Sequence, residues 1–224
     1  MCGRFTLSTP AQTLQKLFDL PEVRELTPRY NIAPSEMLAT VRLPEGKPSR
    51  ELALLRWGLI PPWADDPDVG NRMINARAET VATSPAFRGA FRRRRCLVAA
   101  DGFYEWQRQG RQKQPFYLHM RDGSPFAFAG LWEHWKGPEG QVIESCTLIT
   151  TEPSDLVRPV HNRMPVILAP DDYTLWLDPG VQDVEPLKAL LRPYPPEQME
   201  AYPVSQMVNS PANDDPACVV PLAS

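Results

Sequence analysis

The sequence predicts an α+β fold rich in β structure: a barrel or two packed antiparallel sheets with peripheral helices, in a single domain over residues 1–224. Three observations carry that reading. Apolar and β-branched runs follow one another closely between residues 96 and 151, separated by short glycine-containing turns. The 26 prolines are spread along the chain and leave little room for long helices. At 224 residues and 42% hydrophobic content the chain can bury a sizeable core, and it shows no linker, internal repeat or low-complexity segment.

Taken in order, Thr9-Pro10 reads as a helix start with Thr9 as N-cap and Pro10 at the first helical position. Leu14, Leu17 and Phe18 then share one face of a helix that runs to about Leu20. Residues 21–35 read as an ordered loop. Residues 37–43 and 52–57 read as strands joined by the turn Pro44-Glu45-Gly46-Lys47-Pro48. A proline-rich loop follows, carrying Trp63. Residues 73–82 and 85–94 read as helical or turn-like, ending in the run Arg92-Arg93-Arg94-Arg95. Strands are expected at 96–100, 103–107, 115–120, 126–135, 142–151 and 164–168. Helices are expected at 171–177 and 184–191, and the remaining tail is proline-rich and loosely patterned.

Composition narrows the function. No apolar run approaches the roughly 20 residues of a membrane span, and the start of the chain lacks a basic-then-apolar signal pattern, so the chain reads as cytosolic with no membrane partner. Cys2, Cys96, Cys146 and Cys218 are scattered, with no metal-ligand spacing among them or the three histidines, which argues against a disulfide framework and a metal site. Net charge is −3, but residues 1–121 hold 19 Lys and Arg against 12 Asp and Glu, and residues 122–224 hold 5 against 15. The basic half is mostly arginine, whose planar fork suits phosphate. Surface arginine with no partner role would give the same count.

The first residues are the most unusual. Cys2 is small enough for Met1 to be removed ahead of it, which leaves an α-amine and a thiol on one residue. Such a 1,2-aminothiol condenses with carbonyl compounds as an internal cysteine cannot; the alternative is a frayed end with an incidental cysteine. Asn75-Ala76-Arg77-Ala78-Glu79 sets three polar side chains at alternate positions, on one face if the segment is extended. An ordinary polar helix start fits as well. Glu105 lies between aromatics in Phe103-Tyr104-Glu105-Trp106; burial there would raise its pKa and suit general acid–base work, whereas a place on the polar side of the strand would not. His161 stands beside Arg163 at the entry to a strand, in a structural or a catalytic role. Trp57, Trp63 and Trp106 could stack on bases or pack in the core, and the run 92–95 is a solvated helix end or a phosphate contact.

Together these pieces form a set. Met1-Cys2-Gly3-Arg4-Phe5, Arg29-Tyr30-Asn31-Ile32-Ala33-Pro34, Arg56-Trp57-Gly58-Leu59-Ile60-Pro61-Pro62-Trp63, Asn75-Ala76-Arg77-Ala78-Glu79-Thr80, Gly102-Phe103-Tyr104-Glu105-Trp106 and His161-Asn162-Arg163-Met164-Pro165 strongly resemble the SOS response-associated peptidase (SRAP) family, also called abasic-site processing proteins. The match is ordered and covers about residues 2–170, with little signal in the last fifty or so. The resemblance implies the family's fold and a DNA-damage role: Cys2, freed of Met1, captures an abasic site in single-stranded DNA as a thiazolidine crosslink. By motif position Cys2 is the nucleophile, and Asn75, Glu105 and His161 line its pocket. Arg4 and Arg77 hold flanking phosphates, Pro34, Trp63 and Trp106 pack against or between bases, and Thr150 lies near the lesion. A cysteine-type self-processing peptidase and a weak abasic-site lyase are implied alongside. The expected partner is abasic single-stranded DNA, met by a monomer in the cytoplasm, nucleoid-associated when bound if the source is bacterial; proteins of the replication fork are unidentified partners. No cofactor and no metal are expected. The rival reading is an N-terminal-nucleophile amidotransferase or hydrolase, which also begins with a processed cysteine followed by glycine.

Overall fold

The computed structural model describes residues 2–44 and 46–222. In chain order it forms β1 (Phe5–Leu7), α1 (Ala11–Phe18), β2 (Arg29–Ile32), β3 (Met37–Arg42), β4 (Glu51–Trp57) and β5 (Asn75–Arg77). Then come α2 (Arg88–Arg93), β6 (Arg95–Ala100), β7 (Gly102–Gln109), β8 (Gln112–Met120), β9 (Phe126–Lys136) and β10 (Val142–Thr151). The last are the short β11 (Met164–Pro165) and β12 (Ile167–Leu168), α3 (Tyr173–Leu177), α4 (Val184–Ala189) and β13 (Met199–Pro203). None of the described helices is long and apolar enough to cross a membrane.

The fold is β-rich and built on a closed barrel. β10, β4, β3, β6 and β9 hydrogen-bond in that order, and β9 returns to β10. Every contact round the ring is antiparallel except β10–β4, which is parallel. Parity demands one such exception, because directions cannot alternate all the way round five strands. Of the two forms expected, a barrel or two packed antiparallel sheets, the barrel is present, and β5 adds a second parallel contact by pairing with β10. A separate antiparallel sheet runs β13-β8-β7-β1-β2.

Phe5 joins the two sheets. Its ring lies 5.3 Å from that of Trp57 and 5.6 Å from that of Phe128, both edge-on, the arrangement aromatic pairs prefer. Phe103 and Phe126 pack on the same Phe128 ring. The start of the chain is therefore pinned to the barrel by a fully buried side chain. Behind it, Asp101 accepts hydrogen bonds from the backbone and hydroxyl of both Ser8 and Thr9. Thr9 is thus engaged by Asp101, and Pro10, not Thr9, is the cap of α1.

Further expectations change or are settled. Residues 75–77 are strand, not helix, because the edge of β10 offers them a hydrogen-bonding partner. Arg95 is 3% exposed and begins β6. Its guanidinium donates to the carbonyls of Phe91 in α2, Trp176 in α3, and Asp178 and Val181 just beyond α3, and burial pushes its pKa down to about 10. The tail supplies a strand, β13, that covers the edge of β8 from Met199↔Met120 to Pro203↔Phe116. Trp57 is fully buried, its Nε1 donating to Ile74 O at 2.9 Å, so it is a core residue and offers no face for stacking.

Candidate active site

The register of β1 places Cys2. Phe5 pairs antiparallel with Phe103 of β7 and Tyr104 N donates to Arg4 O at 3.0 Å, so the residues before Phe5 run back alongside Glu105. Cys2 is fully buried, its Sγ 3.9 Å from Arg4 O. From the barrel side, β5 pairs with β10 so that Asn75 lies opposite Leu148 and Arg77 opposite Thr150. Alternation along β5 turns Ala76 into the core and leaves Asn75 and Arg77 on the other face. Asn75 Nδ2 donates to Cys2 O at 2.8 Å, which locks the chain start to the barrel's extra strand. Its Oδ1 is buried and accepts no hydrogen bond among the described residues.

Glu105 completes the cluster. It is 2% exposed, and burial raises its pKa to about 7. His161 Nδ1 lies 3.9 Å from Glu105 Oε1, and Arg163 N donates to the same Nδ1 at 3.1 Å. The His161 ring is half-buried and burial lowers its pKa, which favours the neutral imidazole. Burial, and then the charge of Glu105, push the Cys2 thiol well above its ordinary value, so it rests as a thiol. Three side chains from distant parts of the sequence, Asn75, Glu105 and His161, thus meet around Cys2.

The other candidates divide. Thr150 is fully buried at the end of β10; its carbonyl accepts from Ala78 N and from Arg163 Nη2 at 2.6 Å. Arg77 is exposed. Arg4 is half-buried and turned inward: Nη1 donates to Asn31 Oδ1 and to Val208 O, and Nη2 to Asn209 O. Trp106 is held by a 2.7 Å bond from Nε1 to Asn209 Oδ1. Asn31, fully buried, adds bonds from Nδ2 to the carbonyls of Val208, Ser210 and Asn213, and Asp214 accepts from the amides of Tyr30 and Asn31. The tail segment 206–214 therefore forms one wall beside the site, a role its loose pattern did not signal.

Pro34 and Trp63 sit on neighbouring loops, apart from the Cys2 cluster. Pro34 is half-buried and Trp63 is 61% exposed. Asn71 Oδ1 ties the loops together by accepting from Ser35 Oγ and Arg56 Nη2. Gly58 and Gly70 cross at van der Waals distance, and a Cβ on Gly58 would stand 2.5 Å from Gly70 O, so this crossing admits only glycine. The arginine-rich half is also less free than its count suggests, with Arg29, Arg42 and Arg94 all paired to carboxylates.

Fold and site together define a class: a β-rich protein whose closed barrel presents a buried cysteine beside the chain start, ringed by Asn, Glu and His. The chain belongs to the SOS response associated peptidase (SRAP) family, whose model matches residues 1–211. It is 46% identical over 224 residues to the abasic site processing protein YoqW of Bacillus subtilis (strain 168), covering 98% of this chain and 99% of that protein. The abasic site processing protein HMCES of Xenopus tropicalis is 36% identical over 196 residues, 77% of this chain and 58% of that one. A crystal structure of a Bacteroides thetaiotaomicron protein superposes with a TM-score of 0.88 at 26% identity, over 99% of this chain and all of the other.

Proposed function

We propose that this protein acts in the DNA damage response by capturing abasic sites in single-stranded DNA through Cys2, once Met1 has been removed. The observation that carries the reading is the convergence of Asn75, Glu105 and His161 on Cys2, the residue that would bear both α-amine and thiol. The names of the relatives support the same substrate.

The chemistry follows from the groups present. An abasic deoxyribose opens to an aldehyde at C1′. An α-amine has a pKa of about 7.7–8.0, so roughly a tenth is neutral at pH 7, whereas a lysine near 10.4 is almost wholly charged. Glu105, with its pKa raised to about 7, holds both proton states near neutrality. As carboxylate it takes a proton from the ammonium; the amine adds to C1′; as carboxylic acid it returns the proton to the carbinolamine hydroxyl, which leaves as water. The thiol then adds to the imine carbon, its proton passing to the nitrogen, and a five-membered thiazolidine closes. Aldehyde plus aminothiol gives thiazolidine plus one water. The second bond forms within one residue and gains the effective molarity of an intramolecular step. Asn75 Oδ1 is an open acceptor for a sugar hydroxyl, and His161 supplies the proton that assists ring opening or reversal. The imine also permits β-elimination, a weak lyase activity, and removal of Met1 by the protein itself accounts for the peptidase in the family's name. The working unit is a monomer.

Intact-mass measurement, on the protein alone and after mixing with a uracil-excised single-stranded oligonucleotide, tests this directly. The expected result is a chain lacking Met1 and a heat-stable adduct one water lighter than the sum of its parts. Glutamine hydrolysis with no adduct would replace this reading with the amidotransferase one, and a retained Met1 would overturn both, since each needs the free α-amine of Cys2.

A further inference from the structure

The rim holds a second acidic group that the proton chemistry leaves unused. Glu79 lies just past β5 and is 53% exposed. Both of its oxygens face Arg163: Nη1 donates to Oε1 at 2.5 Å and Nη2 to Oε2 at 3.0 Å, a two-pronged pairing. Arg163 is only 19% exposed, and its Nη2 also donates to Thr150 O at 2.6 Å. The cation is therefore seated against the end of β10 while the carboxylate stands outside it. Arg163 connects directly to the Cys2 cluster, since its backbone N donates to His161 Nδ1, and the exposed Arg77 stands two residues before Glu79. The hydrogen bonds from Arg163 hold the Glu79 carboxyl below its ordinary pKa, so it stands as a carboxylate at neutral pH.

We propose that Glu79 occupies the seat of a DNA backbone phosphate: it pairs with Arg163 in the free protein and is displaced by a phosphodiester of the incoming strand. This rests on the DNA-capturing reading above. A carboxylate and a phosphate both present two oxygens to the guanidinium fork, so one can replace the other without moving the arginine. The exchange costs little, because the Glu79 carboxylate is 53% exposed and water screens its side of the pair. The resident carboxylate also spares Arg163 from standing unpaired at a half-buried position. The consequence is weak, readily reversed binding of any intact strand, so that lasting occupancy depends on the covalent bond at Cys2. Glu79 is in this sense a specificity residue that acts through Arg163.

Fluorescence anisotropy with an intact single-stranded oligonucleotide, read across a salt series, tests the proposal. Glu79→Gln keeps the side chain's shape and should raise affinity by about two- to fivefold, the range set by an exposed pair, with a steeper salt dependence. Glu152→Gln, the same charge change at an exposed site just beyond β10, should give a smaller gain. In an Arg163→Gln background the Glu79→Gln gain should vanish. Equal gains from the two glutamate variants, or a loss of affinity in Glu79→Gln, would overturn the proposal; if Arg163→Gln does not fold, the comparison of the two glutamates decides alone. A wild-type protein that crosslinks abasic DNA while Glu79→Gln binds no better than Glu152→Gln removes only the role of Glu79. A wild-type protein that neither binds nor crosslinks removes the DNA reading itself.

Discussion

The barrel interior and its rim each bury a thiol, and only one of them has the surroundings for chemistry. Cys96, on β6, and Cys2 are both fully buried, and burial pushes both thiols up. Cys96 is surrounded by packing: it lies in the hydrophobic core opposite Gly130 of β9, and a Cβ on Gly130 would come within 2.9 Å of its Sγ. Cys2 has Asn75 on its carbonyl and Glu105 within Coulombic range. Burial alone thus makes a thiol inert, as it does for structural cysteines generally. What distinguishes the rim is a carboxyl, Glu105, that changes charge near neutral pH, where Cys96 has the arginine Arg42 in range; and what Cys2 would add is an amine on the same residue.

The largest expected effect breaks the comparison at the thiols. Cys2→Ala and Cys96→Ala should each lose about 1–2 kcal/mol of stability by denaturant titration, since both are fully buried. Only Cys2→Ala should abolish the heat-stable crosslink to abasic DNA; Cys96→Ala should crosslink normally. A Cys96 variant that loses the crosslink with its fold intact would show that the distinction between rim and barrel is wrong.

Glu105 sharpens the same contrast from the side of the proton. Glu105→Gln should slow crosslinking by roughly 100-fold, a typical loss for a general acid–base, and flatten its pH dependence near 7. Stability should move the other way. In the unfolded chain the carboxyl ionises near 4.5; in the folded chain, near 7. Between those values the folded state binds more protons than the unfolded one, so wild-type stability falls as pH rises from 4.5 to 7 and is level above. Glutamine escapes that fall. The variant should match the wild type near pH 4 and exceed it at pH 8 by up to about 3 kcal/mol, measured by urea unfolding at the two pH values.

How much of this is legible in the sequence depends on where the deciding contact lies. The strands from β6 to β10 are legible because their apolar runs are long and end at glycine turns, and Glu105 is legible because aromatics flank it. Asn75-Ala76-Arg77 is not, since nothing local prefers strand over helix and the open edge of β10 decides. Arg95 reads as the last charge of a basic helix end; its burial depends on carbonyls more than 80 residues away in α3 and beyond. The inward ties of Arg4 are hidden for the same reason: two of its partners, Val208 and Asn209, lie at the far end of the chain. β13 ends in proline and lacks alternation, and is strand because β8 offers it an edge. Local pattern finds elements that stabilise themselves, and misses those completed by a distant partner.

The last contrast separates two tryptophans that the sequence treats alike, and its smallest effect falls on DNA binding. Trp57 is fully buried against Phe5 and bonded to Ile74 O, so Trp57→Ala should cost about 3–5 kcal/mol of stability. Trp63 is 61% exposed on a loop held by Asn71 and the Gly58–Gly70 crossing. A large apolar ring that stays in water on a tethered loop gains nothing from the fold, so its removal should leave the melting temperature unchanged. If the ring is there to meet a base, Trp63→Ala should weaken binding of single-stranded DNA by about 1–3 kcal/mol, the worth of one stacked base, with the salt slope unaltered because no phosphate contact is lost. Unchanged affinity would detach the Trp63 loop from the DNA surface and leave the strand's path to the side of the rim where Arg77 and Arg163 stand.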